Sequence, residues 1–288
     1  MDFEHISTQK LDQTFQKLIP FRDSNLNTYF AGPVNARIIV FVHGFNLSFS
    51  LYSAFILTLQ DQFRVLCVDL PGHGYSGEQN EYSLEVMVEA VCATVSYYKI
   101  TSFMLCGHSL GALVAIAAYN QMLKLKLNPL CVLAFSPAGI QLRYSVGMRL
   151  LKFKFISQMI PKKTIANGAR LEFWRRTGRF MPKQLWEAVK EEYNTMNAAN
   201  KQRNEDRMIW MLQNFKWEQK EVFQQFKGRL CKVIWAYKDQ YVNEEAGKQF
   251  LEGNDVFVQD TVNVIHEIPI ACPQFCVNEI IKLMEMNE

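Results

Sequence analysis

Ser102-Phe103-Met104-Leu105-Cys106-Gly107-His108-Ser109-Leu110-Gly111, followed by the apolar run from Ala112 to Tyr119, is the stretch whose reading decides the fold. The first five residues are a short apolar run suited to a buried strand. The second run carries apolar side chains at helical spacing. Between them Gly107-His108-Ser109-Leu110-Gly111 leaves room only for a sharp turn. A G-x-S-x-G turn of this kind lets strand and helix cross closely, because neither glycine has a side chain to collide. The serine hydroxyl is then held out at the strand's end, positioned for attack.

Working outward, similar short β-branched or aromatic runs recur at Arg37 to Val42, Phe63 to Asp69, Leu130 to Phe135, Lys232 to Tyr237 and Val256 to Val264. Near-continuous apolar strands suit a parallel sheet covered on both faces. Tyr82 to Tyr98 and Leu110 to Leu125 supply amphipathic helices between them. The alternation predicts an α/β fold: a mostly parallel, doubly wound sheet.

The alternation stops near Gly139 and resumes near Gly228. Residues 141–227 hold 18 Lys+Arg against 8 Asp+Glu, whereas the rest of the chain holds 13 against 20. Four of the five tryptophans also fall in this interval. A contiguous block so different from its flanks reads as an inserted, basic, helical unit. The expected division is a core of residues 1–139 and 228–288 with an insert of residues 140–227.

The remaining composition excludes several classes. Hydrophobic residues make up 49% and charged residues 20% of the 288, ordinary for a globular protein. No stretch approaches the roughly 18 apolar residues of a membrane-spanning helix, and the first residues do not resemble a signal peptide. A cytoplasmic location is expected. The seven cysteines lie mostly in apolar runs, as small core residues kept reduced, and their spacing gives no zinc site. No metal and no organic cofactor are expected.

In an α/β sheet ligands bind outside the carboxyl ends of the strands. The polar residues expected at those ends are His43-Gly44, Ser109, Asp239 and His266. Nucleophile, acid, then histidine is the chain order of the triads built on a strand-turn-helix serine. Together with Val68-Asp69-Leu70-Pro71-Gly72-His73-Gly74-Tyr75-Ser76, these residues make the chain resemble the α/β-hydrolase superfamily over nearly its whole length. Ile265 and Glu267 flank the late histidine where the family motif often has glycine before it.

The resemblance implies an α/β-hydrolase fold with the 140–227 block as a helical cap. It assigns Ser109 as nucleophile, Asp239 as the acid that orients the imidazole, and His266 as the base. His5, His43, His73 and His108 are read as structural, and no histidine follows His266. Backbone N–H groups of Phe45 and Leu110 would form the oxyanion hole. The pocket is expected to involve Phe45, His43, Met148, Trp174 and Trp210. Asp69 is read as stabilising its turn, and Glu244 and Glu245 as opening a helix.

The implied activity is cleavage of a carboxylic ester or related acyl bond through an acyl-enzyme, on a small-molecule acyl substrate. Acyl transfer, C–C bond hydrolysis and a non-catalytic ligand receptor are the alternatives on the same fold. Nucleic-acid binding is not expected, since net charge is only +3 and no such motif is present. The basic cap suits anionic acyl donors or a peripheral contact with an anionic membrane.

Overall fold

The computed structural model describes residues 10–144, 159–176, 198–228 and 230–286, with residues 183, 186, 187, 190 and 191. Eight strands form one sheet: β1 (Gln16–Phe21), β2 (Ser24–Ala31), β3 (Ile38–Val42), β4 (Arg64–Val68), β5 (Ser102–His108), β6 (Asn128–Phe135), β7 (Cys231–Lys238) and β8 (Phe257–Ile265). Their order is β1-β2-β4-β3-β5-β6-β7-β8. β3 to β8 pair in parallel, while β1 with β2 and β2 with β4 pair antiparallel. The six strands anticipated from apolar runs are the six parallel ones. The antiparallel pair at the N-terminal edge was not anticipated.

Alternate residues of the parallel strands feed two separate cores. Val40, Val42, Leu66, Leu105, Val132 and Val233 pack on one face. Ile39, Phe41, Val65, Met104, Leu133 and Ile234 pack on the other. This two-residue alternation, apolar on both sides, is why each strand reads as a continuous hydrophobic run. Helices α2 (Leu84–Tyr97) and α3 (Leu110–Lys124) cover the first face. α1 (Ser53–Gln60) and the helix Pro273–Glu285 cover the second. No helix of the described residues is long and apolar enough to cross a membrane.

The 140–227 block contributes the helices Lys162–Arg176 and Ala198–Asn214 between β6 and β7. Met211, Phe215 and Trp217 join the core on the α2/α3 face. Met208, Ile209 and Leu212 instead form a small cluster with Ile165, against which Phe45 packs.

The crossing of α3 over β3 fixes the two elbow glycines. A Cβ on Gly111 would overlap the carbonyl oxygens of Val42 and His43, and one on Gly107 would overlap the carbonyl of Gly111. Gly111→Ala is therefore expected to cost about 3 kcal/mol, the upper range for forced overpacking, read as a lower urea midpoint. Gly168, in the helix Lys162–Arg176, has nothing within 4 Å of a built Cβ. There Gly168→Ala should leave stability unchanged or raise it by up to about 1 kcal/mol. Equal midpoints for Gly111→Ala and wild type would overturn the close-crossing account.

Candidate active site

Ser109 occupies the turn between β5 and α3 with φ 55° and ψ −116°. Serine rarely adopts positive φ, and such a conformation costs about 1–3 kcal/mol. Hydrogen bonds hold it there: the Ser109 N–H donates to the Phe135 carbonyl at 2.8 Å, and the Ala138 N–H donates to the Ser109 carbonyl at 3.1 Å. Helix α3 begins at the next residue. The Leu110 N–H therefore belongs to the first helical turn, whose donors have no intrahelical acceptor.

Asp239 lies one residue beyond β7 and His266 one beyond β8. His266 Nδ1 and Asp239 Oδ2 are 2.7 Å apart, both side chains buried. The other carboxylate oxygen, Oδ1, accepts the N–H groups of Tyr241 at 2.8 Å and Val242 at 2.7 Å. Backbone thus fixes one oxygen and leaves the other for the imidazole. Burial pushes the His266 pKa down, but the Asp239 charge and hydrogen bond, with the Glu267 charge, raise it above the ordinary imidazole value. Ile265, before His266, ends β8 without a positive φ, so no glycine is required there, and the His266 carbonyl accepts the Ile268 N–H at 2.8 Å.

The same carbonyl anchors a second network. Its partner is His108 Nε2 at 2.9 Å, while His108 Nδ1 lies 2.7 Å from the Tyr52 hydroxyl. The Gly44 N–H donates to that hydroxyl at 3.1 Å. A carbonyl can only accept, so His108 carries its proton on Nε2 and Nδ1 accepts from Tyr52. Burial pushes the His108 pKa well below its ordinary value, consistent with a neutral ring. The loops after β3 and β8 and the end of β5 are thereby joined through one tyrosine and one histidine. Sequence had placed His108 in the elbow but gave no signal for Tyr52, which lies 56 residues away from it.

His43 is fully buried with both ring nitrogens engaged: Nδ1 lies 2.7 Å from the Gly44 carbonyl, and Nε2 accepts the Leu70 N–H at 2.9 Å. Burial pushes its pKa down to about 4. It braces the Asp69 loop from beneath. Asp69 accepts from the Asn27 side-chain amide at 2.8 Å and from the N–H groups of Phe49 and Tyr75 at 3.0 and 3.1 Å. Burial nonetheless raises its pKa to about 6. Glu244 and Glu245 occupy the first turn of the helix Glu244–Leu251, with Asn243 as its cap.

Phe45 is half-buried, its ring 5.0 Å from Trp217 and 6.3 Å from His73. Trp210 packs edge-on against Tyr82 at 5.7 Å. Trp174 is 43% exposed on the helix Lys162–Arg176, and no ring contact joins it to Phe45. Met148 lies outside the described residues. All seven cysteines are buried and free. No cluster of His, Cys, Asp and Glu that could hold a metal occurs among the described residues.

Comparison with known proteins agrees with this architecture. A model of the family described as Alpha/beta hydrolase family matches residues 39–260. The pimeloyl-[acyl-carrier protein] methyl ester esterase of Methylococcus capsulatus is 39% identical over 80 residues, 28% of this chain and 30% of that protein. The magnesium-chelatase 30 kDa subunit of Rhodobacter capsulatus is 30% identical over 87 residues, 30% of this chain and 31% of its own length. The chain thus spans about a third of the length of these relatives. Among solved structures, the enol-lactonase from Burkholderia xenovorans LB400 superposes with a TM-score of 0.74 at 15% identity, covering 93% of this chain and 100% of that one. At that identity the likeness is one of fold.

Proposed function

This chain belongs to the Alpha/beta hydrolase family, and from that premise we propose that it is a serine hydrolase cleaving a carboxylic ester or related acyl bond through an acyl-enzyme. The observation that carries the reading is the 2.7 Å contact between His266 Nδ1 and Asp239 Oδ2, in a chain whose Ser109 stands at a positive-φ elbow. The esterase name carried by the Methylococcus relative supports the same class.

In this mechanism Ser109 Oγ attacks the acyl carbonyl while His266 Nε2 takes its proton. Nε2 is the free nitrogen because Asp239 occupies Nδ1, and the carboxylate stabilises the imidazolium that forms. The N–H groups of Phe45 and Leu110 receive the developing oxyanion, and the strained turn orients the second of them in advance. Collapse of the tetrahedral adduct expels the alcohol or thiol, protonated by His266. Water, activated by the same imidazole, then releases the acid. A fluorophosphonate label read at Ser109, together with p-nitrophenyl esters of increasing acyl length, tests this reading and gives the pocket's depth. An unlabelled protein that turns over none of the esters would count for a receptor on this fold instead.

The basic cap is proposed to govern access. Reversing charge at Arg149, Lys152 and Lys154, which lie outside the described residues, is expected to weaken activity on anionic acyl substrates or binding to anionic vesicles. Neutral short esters should change little. Since exposed charges are screened over about 8 Å at physiological ionic strength, the wild-type advantage should shrink as salt rises. A salt-independent preference that survives the triple substitution would assign selection to apolar contacts.

A further inference from the structure

Arg207 is the only lysine or arginine among the described residues that is fully buried, at 1% exposure. It projects from the helix Ala198–Asn214 onto the loops beside the elbow. Its Nη2 donates to Asn46 Oδ1 at 3.0 Å, its Nε donates weakly to the Gly72 carbonyl at 3.4 Å, and its guanidinium lies 5.3 Å from the centre of the Phe45 ring. Its Nη1 is buried and has no hydrogen-bond partner among the described residues. Among the described residues no carboxylate offsets its charge. Burial alone lowers its pKa to about 9, and the one group raising it is the Tyr82 phenol.

Four buried carboxylates of the fold are treated differently. Asp69 has three N–H donors, Asp239 has two plus an imidazole, Glu244 has Arg143, and Glu279 has Lys232 and Lys282. An uncompensated buried cation costs several kcal/mol, and an apolar side chain of similar volume at position 207 would remove that cost. Arg207 moreover touches the residue assigned to the oxyanion hole and its neighbour, Phe45 and Asn46. One donor of the guanidinium fork, Nη1, is therefore left unpaired among the described residues, in a side chain that packs on Phe45 and Asn46.

We infer that Arg207 anchors a carboxylate carried by the substrate, so that the preferred substrates are esters or thioesters bearing a free carboxylate elsewhere in the molecule. This rests on the hydrolase reading above and deepens it. The carboxylate would accept from Nη1 and neutralise the buried charge, and that interaction is absent for a neutral ester. This contact is desolvated, so its selectivity should persist at high salt.

The test uses half-esters, the monomethyl esters of succinate, glutarate and adipate, each paired with the corresponding dimethyl ester. At one length the half-ester should exceed its diester in kcat/KM by about tenfold or more, the contribution of one charge-assisted hydrogen bond. Arg207→Gln should lower that ratio by a similar factor, chiefly through KM, with Arg207→Lys between. Ratios at or below one at every length, or a ratio unchanged in Arg207→Gln, would overturn the inference and leave Arg207 a tie between cap and loop.

Because the variants could fail to fold, wild type supplies a second measurement. Succinate, glutarate or adipate should slow fluorophosphonate labelling competitively at constant ionic strength, where chloride does not. No slowing at any length, or slowing by inorganic phosphate alone, overturns the carboxylate assignment. Failure of Ser109 to label at all would count against the hydrolase reading instead.

Discussion

Ser109→Ala should abolish fluorophosphonate labelling, and His266→Ala should lower turnover by on the order of a thousandfold or more. The expectation follows from separate geometries. Ser109 carries its hydroxyl on a turn with φ 55°, held by the Phe135 carbonyl and the Ala138 N–H. Alanine keeps the Cβ and both backbone bonds, so the fold should survive while the nucleophile is gone. His266→Ala leaves Asp239 buried without its imidazole, but two N–H groups still hold the carboxylate. Melting curves of both variants should stay cooperative, which separates lost chemistry from lost structure. Labelling that persists in Ser109→Ala would remove Ser109 as nucleophile.

Asp239→Asn should cost on the order of ten thousandfold in turnover, more than its effect on stability accounts for. An amide NH2 facing Nδ1 turns that nitrogen into an acceptor and puts the ring proton on Nε2, the nitrogen that must receive the serine proton. The pH profile reports the same pair. In wild type the His266 pKa is raised, so activity should fall as pH drops through a value above that of a free imidazole. In Asp239→Asn the carboxylate's contribution is gone and burial dominates, so the acid limb of the residual activity should move to lower pH. Stability runs the other way. A histidine with a raised folded pKa contributes stability fully below its unfolded pKa, and that contribution is lost as pH rises through the folded value. The pair therefore stabilises the fold most where the base is protonated and idle. Retention of more than about a tenth of the activity in Asp239→Asn would place the acid elsewhere.

The parallel sheet was legible because β3 to β7 are buried on both faces, which leaves no polar positions to interrupt a run such as Ile38–Val42. β1 and β2 were not. Their sequences, Gln16–Phe21 and Ser24–Ala31, mix Lys17, Pro20 and Asn25 with apolar residues, because the pair lies at the sheet's edge and exposes part of each strand. Asp239 and His266 could be read from strand ends alone, since topology brings those ends together. Tyr52 and Arg207 could not. What distinguishes each is a partner 56 to 161 residues distant, and nothing in the neighbouring sequence marks it. Trp174, offered by the sequence as a pocket wall, is 43% exposed on its helix.

The bonded chain from the Gly44 N–H through Tyr52 and His108 to the His266 carbonyl also bears on how slowly the site trades hydrogen with solvent. Amides protected only by a local turn exchange whenever that turn frays, whereas those locked to distant elements exchange when a larger cooperative unit opens. Gly44 donates to a side chain wedged between the β3 and β5 loops, and its release requires His108 and the residue-266 loop to part as well. In deuterated buffer the Gly44 amide should therefore exchange as slowly as the central-strand amides of β3 and β5. Tyr52→Phe, which keeps the ring and removes the acceptor, should speed it to the rate of an ordinary loop.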